Sequence, residues 1–519
     1  MSHFLENKWA ISITAGLLLA LSFPPVNLSF LSIPAFMLFI HLANTCDSNK
    51  QLAFYSYAGF LVWNLATTYW LMMASVVAGL AANLANAVLM TIPLVLMRFF
   101  QKKYQSTLFI VLLQACAWTT YEFLHHNWDL AWPWIAVGNA WAKQVSLIQF
   151  ISITGHLGIT FWVVFTAAIS YQAFTSAKKK HAYYAISSLL ILPLASLVYF
   201  AIDTPVSPNE YSISVTIVQP NHDSYEPYGG MSGNTEVVDS LFSITEKYHT
   251  ESTDLVVWPE NAIERAVLME SVHVNRVADS SRSWNTAFIV GSGLITLYPE
   301  NPPELTRGLY GNIPYNVYNG AFFTDKLGTK SRYDKNNLVP IVERVPFLKF
   351  LSAIDVFDLI DWGRIAGFGK GYTPDMLETA EFMTPGLICY DSVYPSWIRE
   401  FVNNGAGFLT IITNDGWWGD SSGHRQHFEY AKLRAIEFNR WIVRSANNGT
   451  SGIIRPDGTV EQKTDYWVRT AFNSNIPVIK EQTFYARYGD WLSYQCLGIT
   501  LVFWILAILN PQSISTLMK

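Results

Sequence analysis

Three short segments of this 519-residue chain carry side chains whose types and spacing suit acyl transfer. Trp258-Pro259-Glu260-Asn261 sets a carboxylate directly after the apolar run Leu255–Trp258. Tyr333-Asp334-Lys335-Asn336-Asn337-Leu338-Val339-Pro340 supplies an ammonium, with Glu343 shortly beyond, and Leu387-Ile388-Cys389-Tyr390-Asp391 places a thiol at the end of another apolar run. A free thiol is only a few per cent ionised near neutrality, so it needs a base to become a nucleophile. Glu260 meets that need if burial raises its pKa toward the working pH. Attack on an ester carbonyl develops an oxyanion, which Lys335 and the backbone N–H after Cys389 would hold. The product is a thioester, open to an amine or to water. Taken singly, each residue has a plainer reading. A loop Glu or Lys is ordinarily a solvated charge, and a lone cysteine is ordinarily a small buried side chain.

Groups of this kind commonly stand at the carboxyl ends of buried strands, and the sequence offers such strands. Ser212–Gln219, Leu255–Trp258, Ala287–Gly291, Val317–Phe323, Gly386–Tyr390, Phe408–Thr413 and Trp441–Ser445 are short, apolar and punctuated by Gly, Pro or Asn. Gln426–Asn439 has helical composition, so the region predicts an α/β domain. No glycine-rich phosphate loop of the dinucleotide or Walker type is present, so no nucleotide cofactor is expected. His424, His427 and Glu429 are close together without an extended ligand motif. They read as a surface cluster at a helix start, and no metal is expected.

Only 14% of the chain is charged against 51% hydrophobic, whereas ordinary soluble domains carry roughly 25% charge. The deficit is local. Residues 1–202 hold nine basic and four acidic side chains, and residues 203–519 hold 25 and 35. The acidic balance of the second part argues against nucleic acid. Eight apolar stretches lie near 8–24, 27–44, 52–74, 76–98, 106–124, 146–173, 183–202 and 491–510, each about the length that crosses a bilayer. The organisation read from this is a membrane domain over 1–202 with about seven spans, an α/β domain over 203–490, and a last span with its tail over 491–519. Lys50, then Arg98, Lys102 and Lys103, then Lys178, Lys179 and Lys180 fall on alternate connections. The positive-inside rule puts those connections in the cytoplasm and the α/β domain on the far side. Of the four cysteines, Cys46, Cys116 and Cys496 lie in or beside spans, leaving Cys389 unpaired in the domain. Glu122 falls in or near the fifth span, where a carboxylate is costly. His125 and His126 with Trp128, Trp132 and Trp134 read as an interfacial aromatic belt. Phe347, Phe350, Ile354, Phe357 and Ile360 recur at helical spacing, either on a helix that dips into the membrane interface or on one packed against the domain core.

The order Glu, Lys, Cys in these contexts resembles the nitrilase, or carbon-nitrogen hydrolase, superfamily with its Glu-Lys-Cys triad. The eight-span frame around the domain is similar to the apolipoprotein N-acyltransferase family. Asn414-Asp415-Gly416-Trp417-Trp418-Gly419, Gln426-His427, Arg434–Glu437, Arg444–Gly449 and Arg487–Trp491 extend the likeness over essentially the whole chain. The resemblance implies a four-layer αββα sandwich, with Cys389 as nucleophile, Glu260 as base, Lys335 as oxyanion-stabilising cation, and Glu343, Tyr390 and Asp391 in support. It implies transfer of an acyl chain from a phospholipid, phosphatidylethanolamine, through Cys389 to the α-amine of a diacylated apolipoprotein. The place implied is the bacterial inner membrane with the domain on the periplasmic side, with no cofactor and no metal. Two departures from the family pattern stand out: Asp391 stands where Glu follows Cys-Tyr, and the Lys-Trp pair often found after Gln219-Pro220-Asn221 is lacking, Tyr225 and Tyr228 being the nearest aromatics. Two other readings remain at this point. One is a membrane-tethered amidase or ester hydrolase with water as acceptor. The other is a transporter with a binding domain, disfavoured by spans so poor in ionisable groups.

Overall fold

The computed structural model describes residues 2–176, 178–202, 211–353 and 367–509. The chain divides into two compact units. One comprises Met1–Asp203, Ser421–Glu437 and Thr483–Lys519, the other Thr204–Asp420 and Phe438–Gln482.

The first unit is helical. Each of the eight apolar stretches carries a helix: Lys8–Ser22, Ser32–Thr45, Asn49–Thr68, Val76–Lys103, Thr107–His125, Leu157–Thr175, Lys179–Ile202 and Trp491–Leu509. Among the described residues, the last five are long and apolar enough to cross a membrane. The stretch near 146–173 is not one continuous helix. A turn at Ile151–Thr154 precedes Leu157–Thr175, and between them Gly155 adopts φ 69°. A Cβ there would meet the Tyr485 ring at 2.4 Å, so both the backbone and the close approach require glycine.

The helix Ser422–Phe438 lies in sequence between two strands of the other unit, yet Ser421–Glu437 packs with the helical one. Gln426 explains the docking. Its carbonyl oxygen accepts the indole N–H groups of Trp70 at 3.1 Å and Trp134 at 2.8 Å. Its amide donates to the carbonyls of Pro24 at 3.0 Å and Thr67 at 3.1 Å. All four hydrogen-bonding positions of one buried amide are thereby used. His424 and His427 are buried, which corrects the expected surface cluster; the helix start is enclosed by aromatic rings, with Trp134 5.5 Å from His427. Trp134 also stacks with Trp132 and lies 5.0 Å from Trp70. Of the tryptophans read as a belt, Trp134 is buried in this cluster and Trp128 is exposed. Glu122 is buried as well. It accepts hydrogen bonds from Trp118 Nε1 (2.9 Å), the Val137 N–H (2.9 Å) and Thr160 Oγ1 (2.6 Å).

The second unit is built on two sheets. The larger takes strands β1 (Ser212–Gln219), β2 (Leu255–Val267), β3 (Ala287–Leu297), β4 (Gly308–Tyr310), β5 (Ile313–Thr324), β6 (Lys330–Asp334) and β14 (Thr470–Pro477). Its order is β14-β1-β2-β3-β5-β4, with β6 also on β5. A small hairpin pairs β7 (Leu377–Glu378) with β8 (Met383–Thr384). The second sheet takes β9 (Gly386–Ile388), β10 (Leu409–Thr413), β11 (Ile442–Ala446), β12 (Gly452–Ile454) and β13 (Val460–Lys463), in the order β13-β12-β11-β10-β9. The β1-β2-β3 and β9-β10-β11 pairings are parallel, which is why these strands are continuous apolar runs buried on both faces.

Alternation divides the large sheet. Val218, Val256, Trp258, Phe288 and Val290 pack under the helices Asn234–Tyr248 and Val272–Trp284 through Val238, Leu241, Phe242 and Val277. The opposite face meets the second sheet, with β2 against β10 and β11 and β5 against β9. Each large apolar side chain buried here is worth about 1.5–3 kcal/mol. The α/β domain expected from the sequence is therefore observed, with two stacked sheets and helices covering the larger one.

Candidate active site

Glu260 was expected directly after a strand ending at Trp258, but β2 continues through it to Val267. The pairing with β3 slips between Trp258 and Ile263, and Asn261 takes φ 53°, so the carboxylate stands on a bulge. Gly291 of β3 makes this possible. A Cβ there would lie 2.4 Å from the Pro259 oxygen and 2.5 Å from the Glu260 Cα.

Cys389 follows β9 directly and opens a 3-10 turn over Cys389–Val393, which leads into the helix Pro395–Asn403. It takes φ 45°, a left-handed backbone uncommon outside Gly and Asn, so the nucleophile candidate sits on a sharp strand-to-helix turn. Lys335 follows β6; its N–H donates to the Asn319 carbonyl at 2.9 Å and its own carbonyl accepts from Gly371 at 2.9 Å.

These elements bring the ionisable groups together. Lys335 Nζ lies 2.9 Å from Glu343 Oε1 and 3.8 Å from Glu260 Oε1, and it is 1% exposed. The second oxygen of Glu260 accepts the N–H of Asn414 at 2.9 Å, at the end of β10 in the other sheet. The second oxygen of Glu343 accepts the Val339 N–H at 2.7 Å. Asn319 of β5 lies between the carboxylates, donating to Glu260 at 2.8 Å and to Glu343 at 2.9 Å.

The electrostatics follow from burial and charge. Burial pushes the Glu260 carboxyl up and Glu343 adds to this; Lys335 and the two N–H donors pull the other way, and the net shift is upward. Burial alone would depress Lys335, but Glu343 and Glu260 overcome it and hold the ammonium above the usual lysine range. Burial, followed by Glu260, raises the Cys389 thiol well above its ordinary value despite Lys335. The resting sulfur is therefore protonated and needs a base before it can attack.

Asp391 is fully buried and braces the lysine segment. It accepts from the Tyr333 hydroxyl at 2.8 Å and from the Asn337 N–H at 2.8 Å, while Trp397 Nε1 donates to the same hydroxyl at 2.8 Å. Tyr390 is buried with its ring edge on to Tyr394, centroids 5.1 Å apart. The Asn414 loop rests on a buried ion pair, Arg444 Nη2 to Asp415 Oδ2 at 2.7 Å, and Thr413 donates to the other oxygen at 2.7 Å. Tyr225 donates to the Trp417 carbonyl at 2.9 Å. In the apolar stripe, Phe347 and Phe350 are exposed, whereas Ile354, Phe357 and Ile360 lie outside the described residues.

Six positions chosen from the sequence, Glu260, Lys335, Glu343, Cys389, Tyr390 and Asp391, fall in this one unit. Asn319 was missed. A polar residue on the inward face of an otherwise apolar strand, in Tyr318-Asn319-Gly320-Ala321, was the available signal.

Residues 214–476 match the family described as carbon-nitrogen hydrolase, and residues 15–169 match the apolipoprotein N-acyltransferase N-terminal domain. The chain belongs to the carbon-nitrogen hydrolase family and is an enzyme of the acyltransferase kind. Proteins named apolipoprotein N-acyltransferase resemble it along most of its length. That of Chlorobaculum tepidum is 26% identical, covering 99% of this chain and 98% of its own. That of Geobacter metallireducens is 26% identical over 95% and 94%. Among solved structures, a CN-hydrolase superfamily protein from Xanthomonas campestris aligns over 51% of this chain and 91% of its own, with 14% identity and a TM-score of 0.37.

Proposed function

We propose that the protein transfers a fatty acyl chain from a phospholipid, phosphatidylethanolamine, to the α-amine of the diacylglyceryl-cysteine of apolipoproteins. Transfer proceeds through a thioester on Cys389. The observation that carries this reading is the buried Lys335 set between two carboxylates, in a chain whose relatives are named apolipoprotein N-acyltransferase. Glu260 takes the thiol proton as sulfur attacks the ester carbonyl. Lys335 holds the oxyanion, a contribution of about 10²–10³ in rate for one such donor. The C–O bond breaks, the departing alkoxide recovers the proton from Glu260, and a lysophospholipid leaves. The apolipoprotein amine then attacks the thioester and gives its proton to Glu260. The C–S bond breaks and the sulfur is reprotonated. Glu343 holds Lys335, and Asp391 holds the segment that carries it.

The membrane setting suits this chemistry. An acyl chain withdrawn into water would cost about 0.8 kcal/mol per CH₂, so the donor must be met at the bilayer. We place the α/β domain on the periplasmic side of the bacterial inner membrane, between seven preceding spans and an eighth. The loop charges and the apolar helices support this arrangement.

The test is mass spectrometry of the purified full chain incubated with phosphatidylethanolamine in mixed micelles. An acyl mass on Cys389, absent in Cys389→Ala, is expected. Adding a diacylated lipopeptide should discharge it to a triacylated product. Discharge solely to free fatty acid would replace the transferase with a hydrolase.

A further inference from the structure

The amide of Asn319 touches both carboxylates of the site and forms no other side-chain hydrogen bond. Its Nδ2 donates to Glu260 Oε1 at 2.8 Å and to Glu343 Oε1 at 2.9 Å, so its two protons serve two acids. The opposite amide orientation would turn its oxygen toward both carboxylates, so the orientation is forced. The consequence is an exposed cost: Asn319 Oδ1 is buried with no hydrogen-bond partner. A leucine of the same size would avoid that orphaned acceptor, so packing alone does not account for an amide here. The backbone of Asn319 is engaged too, its carbonyl accepting the Lys335 N–H at 2.9 Å. One residue of β5 thereby sets the positions of both glutamates and the root of the lysine.

We infer that Asn319 is a positioning residue: its two N–H groups keep Glu260 ionised and separated from Glu343, so that Glu260 is ready to take the Cys389 proton. This rests on the reading of Glu260 as the base. The charged and titratable groups facing Glu260 are Lys335, Glu343 and Cys389. Lys335 sits nearer Glu343 (2.9 Å) than Glu260 (3.8 Å), so it neutralises the supporting acid more fully than the base. The amide supplies the hydrogen bond to Glu260 Oε1 that the ammonium, at that distance, does not. Donors to a carboxylate favour its charged form. Their removal raises the pH below which Glu260 stops working.

The experiment measures Cys389 acylation by phosphatidylethanolamine in mixed micelles across pH, for the full chain and for Asn319→Leu. The expected result is a rate lowered about 10- to 100-fold, the size of the lost hydrogen bond to the ionised Glu260. The KM for phospholipid should stay within about twofold, and the acid limb should rise by about one pH unit. Asn319→Asp, which keeps the shape but offers no donor once ionised, should lose more. If Asn319→Leu does not fold, Asn319→Ser carries the test, since its single donor predicts a smaller loss and a smaller displacement of the limb. An unchanged rate and limb in the folded variant overturns the inference. Should Glu260→Gln be inactive in the same assay, that result removes only the role of Asn319. Full acylation by Glu260→Gln removes instead the reading on which it rests.

Discussion

The two units each bury a glutamate with three partners, and the partners differ in kind. Glu122 of the helical unit is held by an indole N–H, a backbone N–H and a hydroxyl, all neutral. Glu260 of the sheet unit has two N–H donors and, in addition, a lysine at 3.8 Å, with a second carboxylate on the same ammonium. Neutral donors satisfy a buried carboxylate and join the segments that supply them. A cation shared between two acids beside a thiol can move protons. Burial alone would mark both residues as functional; the chemistry of the neighbours separates them.

The largest effect tests that separation at its centre. Lys335→Met removes the cation and leaves two buried carboxylates uncompensated. Acylation should fall at least 10³-fold, with destabilisation of about 3–5 kcal/mol visible in the unfolding temperature. Near-normal acylation in that variant would end the distinction between the two sites. Glu260→Gln comes next, with a loss of about 10²–10⁴-fold in a protein that still folds. In the wild type, activity should fall as pH drops through a pKa above the ordinary glutamate value, because the protonated acid cannot accept. The raised Cys389 and Lys335 predict no matching loss on the alkaline side until well above neutrality. A limb at the usual glutamate pKa would instead mean that burial does not tune the base. Glu122→Gln should give the smallest catalytic effect, within about threefold, but cost about 1–3 kcal/mol through its mismatched buried donors. A folded Glu122→Gln protein that cannot form the acyl adduct would move Glu122 into the chemistry and break the comparison.

Much of this was legible in the sequence because an uninterrupted apolar run makes the first polar residue after it stand out. The runs before Glu260 and Cys389 are buried on both faces, so a polar residue placed directly after them is conspicuous. Lys335 was read from its position among its neighbours. Asn319 escaped because its importance lies in two contacts with residues distant in the chain, 59 and 24 positions away. The helix over Gln426–Asn439 was expected and is observed as Ser422–Phe438, but its packing with the helical unit escaped for another reason. It carries Arg, Lys and Glu at the frequency of a soluble helix, and hydropathy says nothing about a single glutamine that binds two indoles and two carbonyls. The break at Gly155 was hidden by the apolar residues on both sides of it. Periodicity reports which faces are dry and is silent about where a chain turns beneath an aromatic ring.

The left-handed backbone of Cys389 has a bearing on how this enzyme could be improved. A residue with a Cβ is held there at a conformational cost of order 1–3 kcal/mol, which only the surrounding fold sustains. With Cys389 as the proposed nucleophile, glycine there would relax the turn and abolish the reaction. Selection for heat tolerance alone would therefore drift toward an inert protein, and any hardening of this enzyme must come from residues remote from its sulfur.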